Sequence, residues 1–519
     1  MSSEIGNNNK RLAKNTVLLY FRMFITMGVG LYTSRILLNA LGVENYGINN
    51  VVGGVVAMLS FLSGSLTGAT TRFLTFEIGR NNAEKLKETF SAILLIHVGL
   101  AVVMVLLLEG VGSWFVIHKL TLPPERMDAA LFVFHLSVMA CMIEILKLPY
   151  TGVIIAHEKM DVFAYVSILD VCMKLLIAYL IIYTPFDKLK TYSSLFFVAN
   201  VISTSLYVLY AHRHFIECKF RITFNKYIIR PILAFSGWDL FGNLSVVVRT
   251  QGINILLNTF FGAVINAATG IANTVLSVVM GFSDNFLTAV RPQIVKYYAT
   301  EDYKSFNALV INASKFCTGL LLLVSLPIVT EAHYILNLWL VDVPEYAVQF
   351  CQLTIVNNWV SMLFRPIVFG IYATGNARRI SIINGSIYIL VLPVSYLFLK
   401  NGGSPIIPFV WNIILLAVGH LCFSLTTLKR YVPTFTIRHF LYSSFLKCSL
   451  VVGASLLISY AIRQSMTEGM GRLLVNSVVL IVVVCLMFYY ICLNKDNRIQ
   501  CAHLMRAKLG KLRRSTSPL

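Results

Sequence analysis

LYFRMFITMGVGLYTSRILLN, residues 19–39, is the stretch on which the reading of this chain turns. It is long and apolar enough to cross a bilayer, which takes about 20 residues as a helix. It also carries Arg22 and Arg35. A charged side chain at the bilayer centre costs about 3 kcal/mol on insertion scales. A spanning helix that keeps two guanidinium groups is expected to use them.

Runs like this one recur from end to end. They lie near 15–38, 47–70, 89–117, 129–156, 162–183 and 192–211, then near 232–259, 264–290, 307–330, 346–374, 380–399 and 406–427. Two more follow near 440–462 and 472–493. That pattern predicts an all-α polytopic membrane protein with about fourteen transmembrane helices. The composition agrees: of 519 residues, 57% are hydrophobic and 13% charged, whereas soluble chains carry about a quarter charged residues. No long alternating apolar/polar segment suggests a barrel.

The ten cysteines stand singly, mostly within apolar runs, as at Cys141, Cys172, Cys317, Cys351, Cys422 and Cys485. Without CxxC pairs or Cys/His clusters they imply neither a disulfide framework nor a metal site. They read as small core residues. The short polar N-terminus shows no signal-peptide cleavage pattern, so the first apolar run is expected to stay as a helix.

Net charge is +20, but it gathers in segments between apolar runs, which suits anionic membrane lipids rather than nucleic acid. With the N-terminus inside, the inner segments carry Arg72, Arg80, Lys85 and Lys87; Arg213, Lys219, Arg221, Lys226 and Arg230; Arg291, Lys296 and Lys304; Arg378 and Arg379; and Lys429, Arg430 and Arg438. The tail 494–519 is basic as well. Outer segments 40–46 and 260–263 have no lysine or arginine, and 331–345 offers only Glu331, Asp342 and Glu345 as charged groups. The positive-inside rule therefore places both termini in the cytoplasm.

An internal repeat emerges. ILLN at 36–39 recurs at 255–258, and the same offset pairs Val56 with Val275, Arg72 with Arg291 and Lys85 with Lys304. Further on, LKLPYTGVIIA (146–156) matches LFRPIVFGIYA (363–373). Each match is short, but they agree in order. Both repeats begin inside, so they run parallel, an arrangement of transporters that bind substrate between repeats. The expected organisation is a six-helix bundle at 1–212, a basic cytoplasmic linker at 213–231, a second bundle at 232–430, two additional helices at 431–493 and a basic tail at 494–519.

Catalytic signatures are missing: there is no P-loop, GxGxxG, HExxH or GxSxG. What remains is charge at membrane depth. Arg22 lies about 10 Å into the first helix, with Thr26, Gly30 and Thr33 following at helical spacing. In the seventh helix Ser236, Asp239, Asn243, Thr250, Asn254 and Asn258 recur near i+3/i+4 beside Arg249, which is too deep for easy snorkelling. Such a face belongs on a cavity or a helix contact. Arg365, before Pro366, is a fourth candidate cation. Thr26, Asn243, Thr250 and Asn254 are candidate cavity-lining residues. Glu144 with Lys147, and Asp170 with Lys174, have intrahelical pairing distances. Asp239 and Asp170 are the candidate ion-coupling acids, and Asp239 serves equally as a structural acceptor. Gly64 and Gly68 permit close helix packing. Unpaired arginines call for an anion, and guanidinium grips phosphate in bidentate fashion. A polyprenyl-diphosphate-linked sugar fits, with its tail left in lipid.

The segment from Asn7 to Gly79, with SRxLLNxLGxExYGIxNVVGG from Ser34 to Gly54 at its heart, resembles the start of bacterial polysaccharide-export flippases. These belong to the multidrug/oligosaccharidyl-lipid/polysaccharide exporter superfamily. The resemblance is specific over about the first ninety residues. It implies two six-helix bundles forming a V and alternating access. It also implies export of lipid-linked O-antigen, lipopolysaccharide or capsule units across the bacterial cytoplasmic (inner) membrane, with polysaccharide assembly proteins as partners. In related lipid flippases, cations on helices one, two, seven and eight line the cavity, which by position implies a diphosphate-binding role for Arg22, Arg35 and Arg249. Helix eight departs from that arrangement, because its arginine, Arg291, lies at the inner end. No cofactor or metal is implied. The alternatives are a multidrug exporter of the same fold, coupled to a proton or sodium ion, and a lipid II flippase. A membrane-embedded polysaccharide polymerase would need a larger outer loop with catalytic groups.

Overall fold

The computed structural model describes residues 2–57, 61–118, 123–219, 225–261, 263–340, 343–493 and 498. The basic tail apart from Arg498, Arg221 of the linker and Asp342 lie outside the described residues. The side chains of Arg35, Asn258 and Gly64 also lie outside the description, although their backbones are helical. Among the described residues there are helices and no strands.

α1 is Ser2–Ala57 and α2 is Phe61–Gly79. Then come α3 (Ala83–His118), α4 (Pro124–Ala156), α5 (Met160–Ile182), α6 (Lys188–His214) and α7 (Lys226–Phe261). α8 is Ala263–Ala299, α9 is Tyr303–Thr330 and α10 is Ala347–Ala373. α11 (Ala377–Lys400), α12 (Ile407–Tyr431), α13 (Ile437–Ser465) and α14 (Met470–Cys492) complete the set. A short helix, Ala332–Trp339, follows α9.

α1 joins the first expected span to the start of the second. The outer segment 40–46 holds the break between them: at Gly42 the backbone leaves the helix, with φ 77° and ψ 164°. That backbone conformation is open to glycine and strained for other residues. Ten described helices are long and apolar enough to cross a membrane, and α1, α2, α8 and α10 are the exceptions. Those exceptions are rich in polar residues, such as Thr67, Thr70, Thr71 and Thr75 on α2 and Gln352, Asn357 and Asn358 on α10. Polar helices are costly against lipid and are expected inside a bundle. Conversely, Leu106, Leu176, Ile255 and Leu457 are exposed at the surfaces of the more apolar helices, as lipid-facing residues should be.

The helices divide into two compact units. Unit 1 is Met1–Val248, Asp284–Phe306 and Phe369–Ser386; unit 2 is Arg249–Ser283, Asn307–Val368 and Ile387–Leu519. The division passes through α7, α8, α10 and α11. Unit 1 packs Leu74, Phe90, Ile93, Tyr150, Val153 and Ile154 into one core with Tyr207 and Phe215. Unit 2 packs Ile253, Leu257, Ala268, Leu336, Phe350, Val391 and Phe409, and its Phe350 and Phe409 rings stack at 4.4 Å.

The repeat is written into the turns. α4 ends at Ala156 with Glu158 at φ 58°, and α10 ends at Ala373 with Gly375 at φ 85°. Glu158 N–H donates to the Ile155 carbonyl at 2.9 Å and Gly375 N–H to Tyr372 at 3.0 Å. Each helix also holds an internal proline, Pro149 and Pro366. The α2–α3 and α8–α9 turns match too. Asn81 (φ 56°) and Glu301 (φ 59°) donate to Ile78 and Tyr298. The side chains of Asn82 and Asp302 then cap the next helix by accepting from Lys85 N–H at 3.0 Å and Ser305 N–H at 3.1 Å. This corrects the sequence alignment by one residue here: Lys85 corresponds to Ser305, not Lys304, and Arg72 and Arg291 stand one residue out of strict register.

The two helices beyond the repeat are docked on α9 within unit 2. Ser444 donates to the Ile311 carbonyl at 3.2 Å and Lys315 to the Cys492 carbonyl at 3.3 Å. Gly319 leaves room for Phe488, whose ring lies 2.5 Å from where a Cβ would stand. These α9 residues recur every four positions and so form one face. At the other end Glu331, expected as an outer-loop charge, is instead 2% exposed. Arg472 of α14 donates to it at 2.7 Å, and Asn476 donates at 2.9 Å. Burying this acid is sustainable only because both of its oxygens are engaged. At the rim, His333 bonds Glu468 at 2.8 Å, and that bond lowers the carboxyl from its ordinary value.

Candidate functional site

Arg22 and Arg249 occupy matching surroundings, one in each unit. In unit 1, Arg22 Nη2 donates to Asn285 Oδ1 at 2.9 Å. Its guanidinium carbon lies 4.7 Å from the centroid of the Phe163 ring on α5. Phe163 packs on a small core of Leu19, Ile155, Met160 and Ala289, and Tyr207 donates to its carbonyl at 3.3 Å, so the platform is fixed. In unit 2, Arg249 Nη1 donates to Asn412 Oδ1 at 3.1 Å, and its guanidinium carbon lies 4.7 Å from the Tyr388 ring on α11.

Each cradle thus has an arginine on the first helix of a repeat, an aromatic face on the fifth and a neutral asparagine oxygen. Among the described residues neither arginine is in an ion pair. Each Nε is buried without a hydrogen-bond partner. A guanidinium has five N–H donors in a planar fork, so both retain donors for an oxyanion. The aromatic faces add cation–π attraction, about 0.5–2 kcal/mol depending on desolvation.

The other expected residues are spread differently. Arg35 lies outside the described side chains. Arg365 is in unit 2, half-buried, with Nη1 4.0 Å from Met362 Sδ. Thr26 spends its hydroxyl on the Met23 carbonyl at 3.1 Å. Asn254 donates to Gln251 Oε1 at 3.2 Å and leaves its own Oδ1 buried without a partner. Thr250 is half-buried beside Arg249 in the chain. The paired spacings close as intrahelical ion pairs, Glu144–Lys147 at 2.5 Å and Asp170–Lys174 at 2.7 Å.

Asp239 and Asn243 belong to a separate cluster in unit 1. Tyr372 and Ser65 side chains lie against the Asp239 carboxyl, and Arg291 is the cation facing it. Asn243 donates to it at 3.4 Å and to its backbone carbonyl at 3.0 Å. Gly68 makes this possible: a Cβ there would stand 2.9 Å from Arg291 Nη2 and 3.5 Å from Asp239 Oδ2. That glycine accommodates a guanidinium, beyond the plain helix packing its spacing suggested. Arg72, expected in an inner loop, is 5% exposed within α2. It donates to the Ala373 carbonyl at 3.1 Å and lies over the Phe73 and Phe76 rings at 4.4 and 4.9 Å. The sequence ended the second span at residue 70, whereas α2 runs to Gly79, so Arg72 and its aromatic neighbours share one helix.

Sequence reasoning missed Asn285, Asn412, Phe163 and Tyr388. A lone asparagine in a strongly apolar helix, Asn412 in PFVWNIILL, was the signal for one of them, while Asn285 stands among other polar residues of α8. The aromatics carried none.

Solved structures of this architecture exist. A MATE transporter in the straight conformation aligns with a TM-score of 0.67 at 14% identity, over 82% of this chain and 96% of that one. An outward-facing multidrug resistance MATE family transporter of the MOP superfamily gives 0.65 at 14%, over 82% and 97%. A MOP superfamily transporter from Pyrococcus furiosus, described as having a binding pocket of reversed polarity that suggests a different function, gives 0.64 at 14%, over 83% and 96%. This chain has their fold. No protein-family model and no curated protein matches the sequence.

Proposed function

We propose that this protein is a flippase of the bacterial cytoplasmic membrane. It moves a polyprenyl-diphosphate-linked oligosaccharide, an O-antigen or capsule repeat unit, from the inner to the outer leaflet by alternating access. The observation that carries this reading is the pair of arginine cradles. Two guanidinium groups at membrane depth keep free donors and have amide and aromatic neighbours instead of carboxylates. A resident acid would neutralise them; a diphosphate supplies the missing charge when it binds and takes it away when it leaves. The lipid tail stays in the bilayer, so only the head group needs a polar route.

The fold is equally that of multidrug exporters. A cation-coupled exporter would need an acid free to bind cations, whereas Asp170 is paired with Lys174 and Asp239 has Tyr372 and Ser65 against it and is faced by Arg291. Both acids read as structural, which leaves the coupling proton or sodium ion without a site among the residues first considered. Neither the fold nor the site calls for catalysis.

The test is Arg249→Ala in cells that display the surface polysaccharide. The glycan should disappear while protein abundance in the membrane is unchanged. Normal glycan would remove Arg249 from the route, and loss of dye efflux instead would favour the drug exporter.

A further inference from the structure

The two arginine cradles draw their parts from different places. Arg249, Tyr388 and Asn412 all belong to the second repeat, on α7, α11 and α12. The Arg22 cradle is shared: Arg22 and Phe163 come from the first repeat, whereas Asn285, on α8, comes from the second. Unit 1 contains the whole first repeat together with the stretch Asp284–Phe306 that ends α8. There one face of α8, with Asn285, Ala289 and Gln293 recurring every four positions, meets the first repeat. Asn285 accepts from Arg22 at 2.9 Å, and Ala289 packs in one core with Leu19, Ile155 and Met160. Gln293 donates to the Glu158 carboxyl group at 3.4 Å, while Asn15 donates to the Glu158 carbonyl at 3.2 Å. α2 adds two bonds to backbone carbonyls of the second repeat, Ser65 to Ser236 at 3.2 Å and Arg72 to Ala373 at 3.1 Å. The seam between repeats is thus shut at the end carrying Arg80, Lys85 and Lys296, which the positive-inside rule puts in the cytoplasm. Among these contacts, the Arg22–Asn285 bond is the one made by a donor that the cargo also needs.

We propose that Asn285 competes with the cargo for Arg22: it holds the guanidinium when the seam is shut and yields it to a diphosphate when the seam is open. This role rests on the diphosphate reading of Arg22. A phosphate oxygen is charged and bonds a guanidinium about twice as strongly as a neutral acceptor does, so an anion arriving at the open seam takes the donor. Asn285 rides on the other repeat and returns to Arg22 only as the seam shuts. Its return withdraws a donor from the anion without adding a charge. Such coupling is reciprocal: the anion favours the open seam by the same factor by which closure weakens the anion's hold. The factor is what one hydrogen bond to a charged group supplies, about tenfold. Asn412 has no such leverage, because it and Arg249 belong to one repeat. The cargo is then gripped at entry and loosened at exit.

The experiment uses the full chain in nanodiscs, with Ala289→Cys as a reporter and inorganic pyrophosphate as the probe. Ala289 is 1% exposed, so a maleimide reaches a cysteine there only when the seam parts. Mass spectrometry of the peptide around residue 289 separates that label from labels on native cysteines. Labelling should be slow in the absence of pyrophosphate and rise about tenfold in its presence. With Arg22→Ala added it should be fast throughout, with no response to pyrophosphate. Asn285→Asp gives Arg22 a resident counter-charge and should keep labelling slow with or without the probe. Affinity is read separately by equilibrium dialysis of chains carrying Arg249→Ala, which leaves the Arg22 cradle to bind. There Asn285→Ala should tighten pyrophosphate about tenfold. Dialysis needs no reporter, so it decides even if Ala289→Cys does not accumulate. Pyrophosphate that binds equally with and without Asn285→Ala, or that binds and leaves labelling unchanged, would overturn the competition and leave the diphosphate reading standing. No pyrophosphate binding to either chain would remove the diphosphate reading and the competition together.

Discussion

The Arg22 and Arg249 cradles are built alike and stand at different points along their own helices. Both combine a first-helix arginine, a fifth-helix ring and an asparagine. The ILLN match sets Arg22 in register with Phe241, and Arg249 in register with Gly30. Along its own helix, Arg249 therefore stands about 12 Å further on than Arg22 does. The position of α1 that matches Arg249 is thus a glycine, and no atom lies within 4 Å of where its Cβ would stand. The matching turns share one frame, and the two arginines stand at different points of it.

That comparison can be broken by substitution. Arg22→Ala and Arg249→Ala should each lower transport by about 100-fold or more, with the protein still present, as measured by surface glycan per unit of membrane protein. If the cradles act in succession, the double variant is no worse than the poorer single one. Full additivity would mean that they act independently. Lysine at either place should recover part of the loss, since it keeps the charge and loses the fork.

Next in size are the asparagines. Asn285→Ala and Asn412→Ala remove a hydrogen bond to a charged group, worth about 1.5–3 kcal/mol, so transport should fall about tenfold or more in each. An effect confined to one of them would mean that the two cradles differ in kind as well as in position along the helix. The aromatic faces come third. Phe163→Leu and Tyr388→Leu should cost about 0.5–1 kcal/mol, a factor of about two to five, while Tyr388→Phe should be neutral because the ring face and not the hydroxyl meets Arg249. The smallest effect belongs to Gly30→Ala. With open space around it, this change should leave transport unchanged and raise thermal stability slightly through better helix propensity.

How legible all this was differs by level. Helix number and the repeat were readable because spanning helices need long apolar runs and duplicated turns keep local sequence. Arg22 and Arg249 stand out in the sequence because an arginine in such a run is conspicuous. Their partners were not: Phe163 and Tyr388 look like any apolar residue in a membrane helix, and only tertiary packing brings them to a guanidinium. Arg72 and Glu331 were misplaced for a related reason. Each lies near the end of an apolar run, where sequence alone cannot separate a solvated loop charge from a buried one with a distant partner. Glu331 finds Arg472 and Asn476 on α14, and Arg72 finds the backbone carbonyl of the last residue of α10. Glycines carried hidden information as well. Gly68 and Gly319 admit a guanidinium and a ring respectively, and neither role can be guessed from spacing.

The decisive measurement is translocation in liposomes holding the purified protein. A fluorescent short-chain polyprenyl-diphosphate sugar is placed in one leaflet, with an organic cation offered in parallel. The wild type should flip the diphosphate lipid and ignore the cation, and the Arg22→Ala/Arg249→Ala variant should move neither. If that variant flips the diphosphate lipid at the wild-type rate, or if the wild type moves only the cation, the two arginines are not anion stations and the account is wrong.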